Sequence, residues 1–496
     1  MTLRTLRRIV PAVCALAVAA SARAQSNPGN SAANPYVGSV EAVPLTPGAR
    51  QLSLDDAIKL GIENNLALTL AHEQQKTAAA EKLELANILL PNMSLHAETG
   101  VHEYNLEALG FHPSILGAFS GLLPPGTAIH LVTKVDVTNA QVNFSQALFN
   151  WAGYDVWRAA QAEQKASFYN AQSSRGLVVL NVGNTYLQAL AAKAQADYAR
   201  SLLNTDQTLL DQAHQEHLAG TAANLDELRA RVQYQQQAQA VIAADDTFEK
   251  QKIALNRMIG LDPEQAIELT ESAPYAELQP VSIDEARSEA YASRQDYQML
   301  RQELRAAELE RHATTHERFP TLSFGANWGV TGVSGEVYHE TFAAVGTLSV
   351  PLFHEAEFRG DADVAAAQLD QIRARMRDLT AKIDQQLRDS LLDLQTAEET
   401  VKVAKSNVDL ATTALDQTQQ RFTAGIADNL PVAEAQSTLA AAQTQYVTSV
   451  LALNQARLGL ARNLGIVDTQ YKSYLQGGTP PALKSDKAAG MPKSGF

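Results

Sequence analysis

The sequence holds one cysteine, Cys14, and few aromatic residues, 6% of 496. A lone thiol excludes an intrachain disulfide. So low an aromatic share is poor material for one large globular core. Alanine and glutamine crowd the helical stretches instead, which suits helices packed side by side. Basic residues are outnumbered by acidic ones, 40 to 54, for a formal net charge of −14. That excludes the electrostatic footprint of a nucleic-acid binder. No run of about 18 consecutive apolar residues occurs, so no transmembrane helix is expected. An exported chain of this kind can cross a membrane only with strands. Also missing are a phosphate-binding glycine loop, a nucleophile elbow and a supported pair of catalytic carboxylates. The chain reads as no enzyme, with no cofactor and no metal. His214 with His217, and His312 with His316, have helical spacing that could share a metal, but neither pair has a carboxylate or cysteine at a fitting spacing in sequence, and a polar surface is the expectation.

The first residues read as a secretory signal. Arg4, Arg7 and Arg8 precede a short apolar core from Ile9 to Ala20, and Ala22-Arg23-Ala24 is a small-x-small cleavage site. Cys14 lies inside that core; Pro11-Ala12-Val13 before it is a poor match to a lipid-anchor signal. Residues 25–50 carry Pro28, Pro35, Pro44 and Pro47 with Gly, Asn and Ser, which predicts an extended, poorly ordered linker. Residues 475–496 read as a similar tail.

What is there is a repeat. Leu52-Ser53-Leu54-Asp55-Asp56-Ala57 returns as Val281-Ser282-Ile283-Asp284-Glu285-Ala286, and Leu90-Pro91-Asn92-Met93-Ser94-Leu95 returns at the same offset as Phe319-Pro320-Thr321-Leu322-Ser323-Phe324. Gly220 matches Gly425 and Gly260 matches Gly465 at a shorter offset, as an insertion in the first copy requires. Each copy reads helix, strand, strand, long helix, turn, helix. Such a unit cannot bury its own surfaces alone. The expected organisation is a signal peptide over 1–24, a linker over 25–51, a first repeat over 52–265, a connector over 266–280, a second repeat over 281–469 and a tail over 470–496.

Ser53 and Ser282 are N-caps of the first helix of each copy, with acids in the first turn; Pro91 and Pro320 stop those helices, the first expected over about 54–89. Leu322, Phe324, Ala326, Trp328 and Val330 then alternate with small or polar residues, as Met93, Leu95, Ala97 and Val101 alternate with Asn92, Ser94, His96 and Glu98. Partner strands are expected at about 135–149 and 340–350. The pattern suits a lipid-facing strand, and equally a half-buried strand of a soluble sheet. Four strands cannot close a membrane barrel, since the smallest have about eight, so their edges would need other chains. The insertion over 105–131, with Phe111, Pro113, Phe119, Pro124 and Pro125, either lines a pore mouth or packs as a surface loop.

Two proline-free helices follow, from about Gly153 to His217 and from about Glu355 to Phe422. Each is roughly 100 Å long at 1.5 Å per residue, and alanines along them permit close lateral packing. Each ends in a related turn, Leu218-Ala219-Gly220-Thr221-Ala222-Ala223-Asn224-Leu225 and Thr423-Ala424-Gly425-Ile426-Ala427-Asp428-Asn429-Leu430. The glycines are left-handed helix stops, and Asn224 and Asn429 are expected to cap the returning helices.

The duplicated unit, the paired strand starts, Gln146-Ala147-Leu148-Phe149 against Val350-Pro351-Leu352-Phe353, and the segment Arg421 to Gln436 together resemble the TolC family of bacterial outer-membrane efflux proteins over about 52–465. The resemblance implies a mainly α fold with a membrane β-barrel: a trimeric 12-stranded barrel continued by a long α-helical barrel, with an internal two-fold repeat in each chain. It implies a homotrimer in outer-membrane lipid, a periplasmic adaptor (membrane fusion) protein and an inner-membrane transporter of RND, ABC or MFS type. Leu322, Phe324, Trp328, Met93 and Leu95 would then be outer-membrane strand residues. The hairpin tips would form a periplasmic gate, with Gly220 and Asp226 in one hairpin and Phe422, Gly425, Ala427, Pro431 and Glu434 in the other. Phe422 stands where the family has a tyrosine, Ala427 where it has an arginine and Pro431 where it has an acid, so a gate here cannot use the same bonds. Glu434 reads either as a pore-lining acid or as a solvated helix charge.

Two functions remain on the sequence alone. One is an exit duct of a tripartite efflux or type I secretion system. The other is a periplasmic coiled-coil scaffold without channel activity, which explains the signal and the helices but not alternating strands at equivalent places in both copies.

Overall fold

The computed structural model describes residues 34–40, 43–110, 132–220, 223–271, 281–424, 426 and 430–476. The expected signal peptide and most of the insertion, connector and tail lie outside them. In chain order the elements are β1 (Arg50–Leu52), α1 (Leu54–Asn64), α2 (Leu66–Ala86), β2 (Asn92–Asn105), β3 (Val132–Phe149), α3 (Trp151–Leu218), α4 (Asn224–Ile259), β4 (Ile267–Leu269), α5 (Ile283–Ser293), α6 (Gln295–His316), β5 (Thr321–Val333), β6 (His339–Ser349), α7 (Glu355–Thr423), α8 (Leu430–Asn463) and α9 (Val467–Gln476). They fall into two compact units: residues 77–165 with 302–374, and the rest.

The first of these units carries a four-stranded antiparallel sheet in the order β2-β3-β5-β6. Its register sorts side chains by polarity. One row crosses all four strands as Leu95, Val142, Trp328 and Phe342; the adjacent row, on the other face, is Ser94, Asn143, Asn327 and Ala343. Because successive residues point to opposite faces, one face is apolar and the other largely polar. Gly329 is required where β3 and β5 approach: a Cβ there would lie 2.1 Å from the carbonyl oxygen of Ala140.

The second unit holds the main core. Leu52, Ile58, Val178, Val182, Tyr186, Leu255, Ile259, Ile383, Leu387 and Leu458 are buried together. Ser53 and Ser282 form capping boxes with Asp56 and Glu285, each serine oxygen accepting from the backbone N–H three residues on.

Three expectations need correction. The first helix of each copy is not continuous. The chain is extended at Asn65 (ψ 134°) and at Arg294 (ψ 120°), so each copy has two helices there. Both breaks are held by long-range polar contacts. Asn65 Nδ2 donates to Tyr36 O at 2.9 Å, and its Oδ1 accepts from Ala67 N. The Arg294 guanidinium, 2% exposed, donates to Asp296 at 2.6 and 3.0 Å and to Gln386 Oε1 at 2.9 Å. Secondly, part of the expected loose linker is built in. Ser39 bridges to Asn65, Val43 N donates to Gly260 O, and β1 pairs in parallel with β4. These residues complete the hydrogen bonding of elements far along the chain, and Leu52 and Val43 add apolar surface to the main core. Thirdly, the cap before α4 is Ala223 without a side-chain bond, and Asn224 is the first helical residue; Asn429 is outside the described residues.

Candidate functional site

Two regions carry the sequence-derived candidates, one in each unit. In the sheet, the apolar face is turned to solvent in the single chain. Met93 is 72% exposed, Leu95 76%, Trp328 58% and Phe342 71%, while Leu322 is just 36% exposed. Phe324 faces Phe144 across the strands, ring centroids 6.0 Å apart. A contiguous apolar face of this kind, whose removal from water is strongly favourable, marks a lipid or protein contact. On the opposite face Gln141 Nε2 donates to Thr341 Oγ1. Thr99, Thr138 and Ser334, whose hydroxyls lie 2.8 to 3.3 Å apart, close the far end of the apolar face, since Thr99 and Thr138 share the strand parity of Leu95 and Val142. Among the described residues, the outer edges of β2 and β6 have no partner strand. Open edges on a sheet with an exposed apolar face are a template for other copies. None of the described helices is long and apolar enough to cross a membrane.

In the other unit, α3 with α4 and α7 with α8 form two helical hairpins. Gly220 has φ +73°, the left-handed stop expected of it. Asp226, in the first turn of α4, lies 3.6 Å from Arg229. Phe422 is half-buried and packs inward against Leu202, Ala411, Leu415, Val432 and Leu439. Pro431 is exposed in the first turn of α8, where its missing N–H costs nothing. Glu434 is exposed one turn on. Gly425 and Ala427 lie outside the described residues. Around the tips Leu218, Leu225, Val232, Ile426 and Leu430 are all exposed. The structure therefore gathers Phe422 into the hairpin core and leaves Pro431 and Glu434 on its surface.

Several partners were not visible in the sequence. His214 Nδ1 lies 3.2 Å from Glu227 Oε1, a carboxylate that also accepts from Arg231 at 2.7 Å. His316 Nδ1 lies 2.6 Å from the buried Asp155. Both histidines thus find an acid from another helix, which sequence spacing cannot reveal. No cluster of three or more metal-ligating side chains occurs among the described residues. Asp206, on α3, is 3% exposed, and burial pushes its carboxyl up to about 6. One signal could have found it: an acid among Leu202, Leu209 and Ala213, on the apolar stripe of the helix.

Known proteins fit this geometry. At the level of sequence, the chain is 27% identical over 337 residues to the pyoverdine export outer membrane protein OpmQ of Pseudomonas aeruginosa, covering 67% of this chain and 70% of that one. It is 24% identical over 316 residues to the alkaline protease secretion protein AprF of the same organism, covering 61% and 64%. In fold it is similar to the Campylobacter jejuni CmeC outer membrane channel, with a TM-score of 0.69 at 16% identity over 90% of this chain and 93% of that one. The model of the outer membrane efflux protein family matches residues 132–261 and 286–466, a span that takes in three of the four sheet strands and both hairpins. With its exposed apolar sheet face and paired helical hairpins, this chain belongs to the outer membrane efflux protein family.

Proposed function

We propose that this outer-membrane efflux channel works as a homotrimer in which three four-stranded sheets join through the free edges of β2 and β6. The observation that carries the reading is the sheet itself: two open edges and one continuous apolar face. Twelve strands exceed the roughly eight needed for the smallest membrane barrel, and closure leaves no unpaired edge in lipid. The apolar face then meets lipid and the polar face lines water. Leu322, Phe324, Trp328, Met93 and Leu95 are the lipid-facing candidates.

Transport is passive. A water-filled tube selects by width and by the charge of its constrictions, while an inner-membrane transporter, joined through a periplasmic adaptor, supplies energy. The hairpin tips close the tube at rest. Phe422, Gly425, Ala427 and Pro431 shape the closure without the family's tyrosine, arginine and one of its two acids, Gly220 and Asp226 form the facing tip, and Glu434, at the place of the second acid, supplies a ring of three carboxylates. The relatives are named for different cargo, pyoverdine in one and alkaline protease in the other. Substrate choice therefore belongs to the transporter.

The test is extraction of the full chain in detergent, a mass measurement, and conductance in planar bilayers. A trimer is expected, closed at rest, whose conductance rises when Phe422→Ala loosens the tip. A monomer, or a trimer silent even with Phe422→Ala and Glu434→Gln combined, would overturn the duct.

A further inference from the structure

The contact between the two hairpins contains a buried acid that passive conduction does not use. Asp206 of α3 faces Gln233 of α4 and Gln436 of α8, which share a cavity with it. Three helices, from both hairpins, thus meet at one carboxyl group. The cavity is about 390 Å³ and its other walls are mainly apolar, among them Leu209, Leu225, Leu228 and Leu430. Gln436 is itself 3% exposed, and its side-chain amide lies against the Asp206 carboxyl. An ionised Asp206 has no cation paired with it among the described residues. Arg229 of α4 is the one other ionisable side chain on the cavity wall, and it is 3.6 Å from Asp226. His214 of α3 and Glu227 of α4 pair with each other, α8 places no ionisable group on the wall, and α7 packs the adjoining cluster with Ala411 and Leu415.

Burial raises the Asp206 carboxyl to about 6 from an ordinary 3.8, the Gln436 and Gln233 amides offsetting only part. The packed hairpins hold the proton more tightly than separated ones, so packing is strongest at pH below about 4. It weakens as the pH rises towards 6 and then levels off. The difference between the two values corresponds to roughly a hundredfold change in the packing equilibrium.

We propose that Asp206 is a proton-operated latch between the two hairpins of one chain. Protonated, its O–H donates to a glutamine side-chain oxygen, and α8 stays seated on α3 and α4. Ionised, it draws water into the cavity and loosens α8. Acidification of the periplasm would then hold the inner end of the duct shut. That consequence rests on the channel reading, whereas the latch itself does not.

The chain without its signal region contains no cysteine, so thiol spin labels can be placed singly. Gln236→Cys on α4 and Ser437→Cys on α8 are both exposed. In the full-length trimer, the distance between these labels is expected to be short and narrow at pH 4.5 and longer and broader at pH 7.5. Asp206→Asn, which mimics the protonated acid, should keep it narrow at both. Gln436→Leu, which removes a group favouring the charged form, should move the wild-type transition to higher pH. A wild-type distance that ignores pH, or one that changes equally in Asp206→Asn, overturns the latch. Conductance recorded on the same samples tests the duct separately.

Discussion

At the scale of single residues, the sheet depends on one missing side chain. Gly329 lies where β3 and β5 come closest, and a Cβ would strike the Ala140 carbonyl oxygen at 2.1 Å and Gln141 Cα at 2.6 Å. Those contacts are backbone, which cannot swing aside. Gly329→Ala is expected to cost about 1–3 kcal/mol, as overpacking does, and to lower the temperature at which the detergent-extracted trimer falls apart on a gel. Gly346→Ala, with nothing within 4 Å of the new Cβ, should leave that temperature unchanged. Equal behaviour of the two variants would mean that the β3–β5 register is different. Neither effect could be read from sequence, where both positions are glycines in alternating strands.

At the scale of elements, the sequence showed where helices start and stop but not where they break. Ser53 and Ser282 advertise helix starts through local bonds, so they were legible. Arg294 ends a helix for reasons that lie elsewhere: Asp296 beside it, Gln386 on α7 and the carbonyl of Asn463 at the end of α8. The strands were legible for the opposite reason, since their alternation is local and strict. The acid on α3 was legible only as an exception to a stripe. The Arg294 break makes a signed prediction. Burial alone would raise the Asp296 carboxyl, but Arg294, with help from Arg462, holds it below the ordinary 3.8. A depressed acid contributes stability that is complete above its unfolded value and lost as the pH falls through the folded one. Arg294→Met removes that contribution and strands a half-buried carboxylate, at a cost of at most about 3–5 kcal/mol at neutral pH. Urea midpoints should therefore fall steeply at pH 7 and much less at pH 3.5, where the stranded group takes a proton. A loss of the same size at both values would show that the pair is not what holds the break.

At the scale of the whole molecule, the two faces of the sheet must answer differently to the same change. Trp328 and Asn327 are neighbours in sequence on opposite faces. Trp328→Arg places a charge against hydrocarbon and should cost about 2–4 kcal/mol near the bilayer midplane, visible as loss of membrane-inserted trimer. Asn327→Arg should insert normally and shift ion selectivity towards anions in bilayer recordings. If both insert equally, the apolar face is covered by protein and not by lipid. The chain's connectivity has a further consequence, for the order of folding. β1 closes against β4 more than two hundred residues downstream, and Tyr471 of the last helix donates to Asp55 of the first at 2.5 Å. Contacts of such sequence separation form late and slowly. The helical core is complete only once α9 has joined it, since Val467, Tyr474 and Leu475 are buried there. Shortening the chain by its last described helix should therefore leave it open to proteolysis, seen as loss of full-length protein in a pulse-chase.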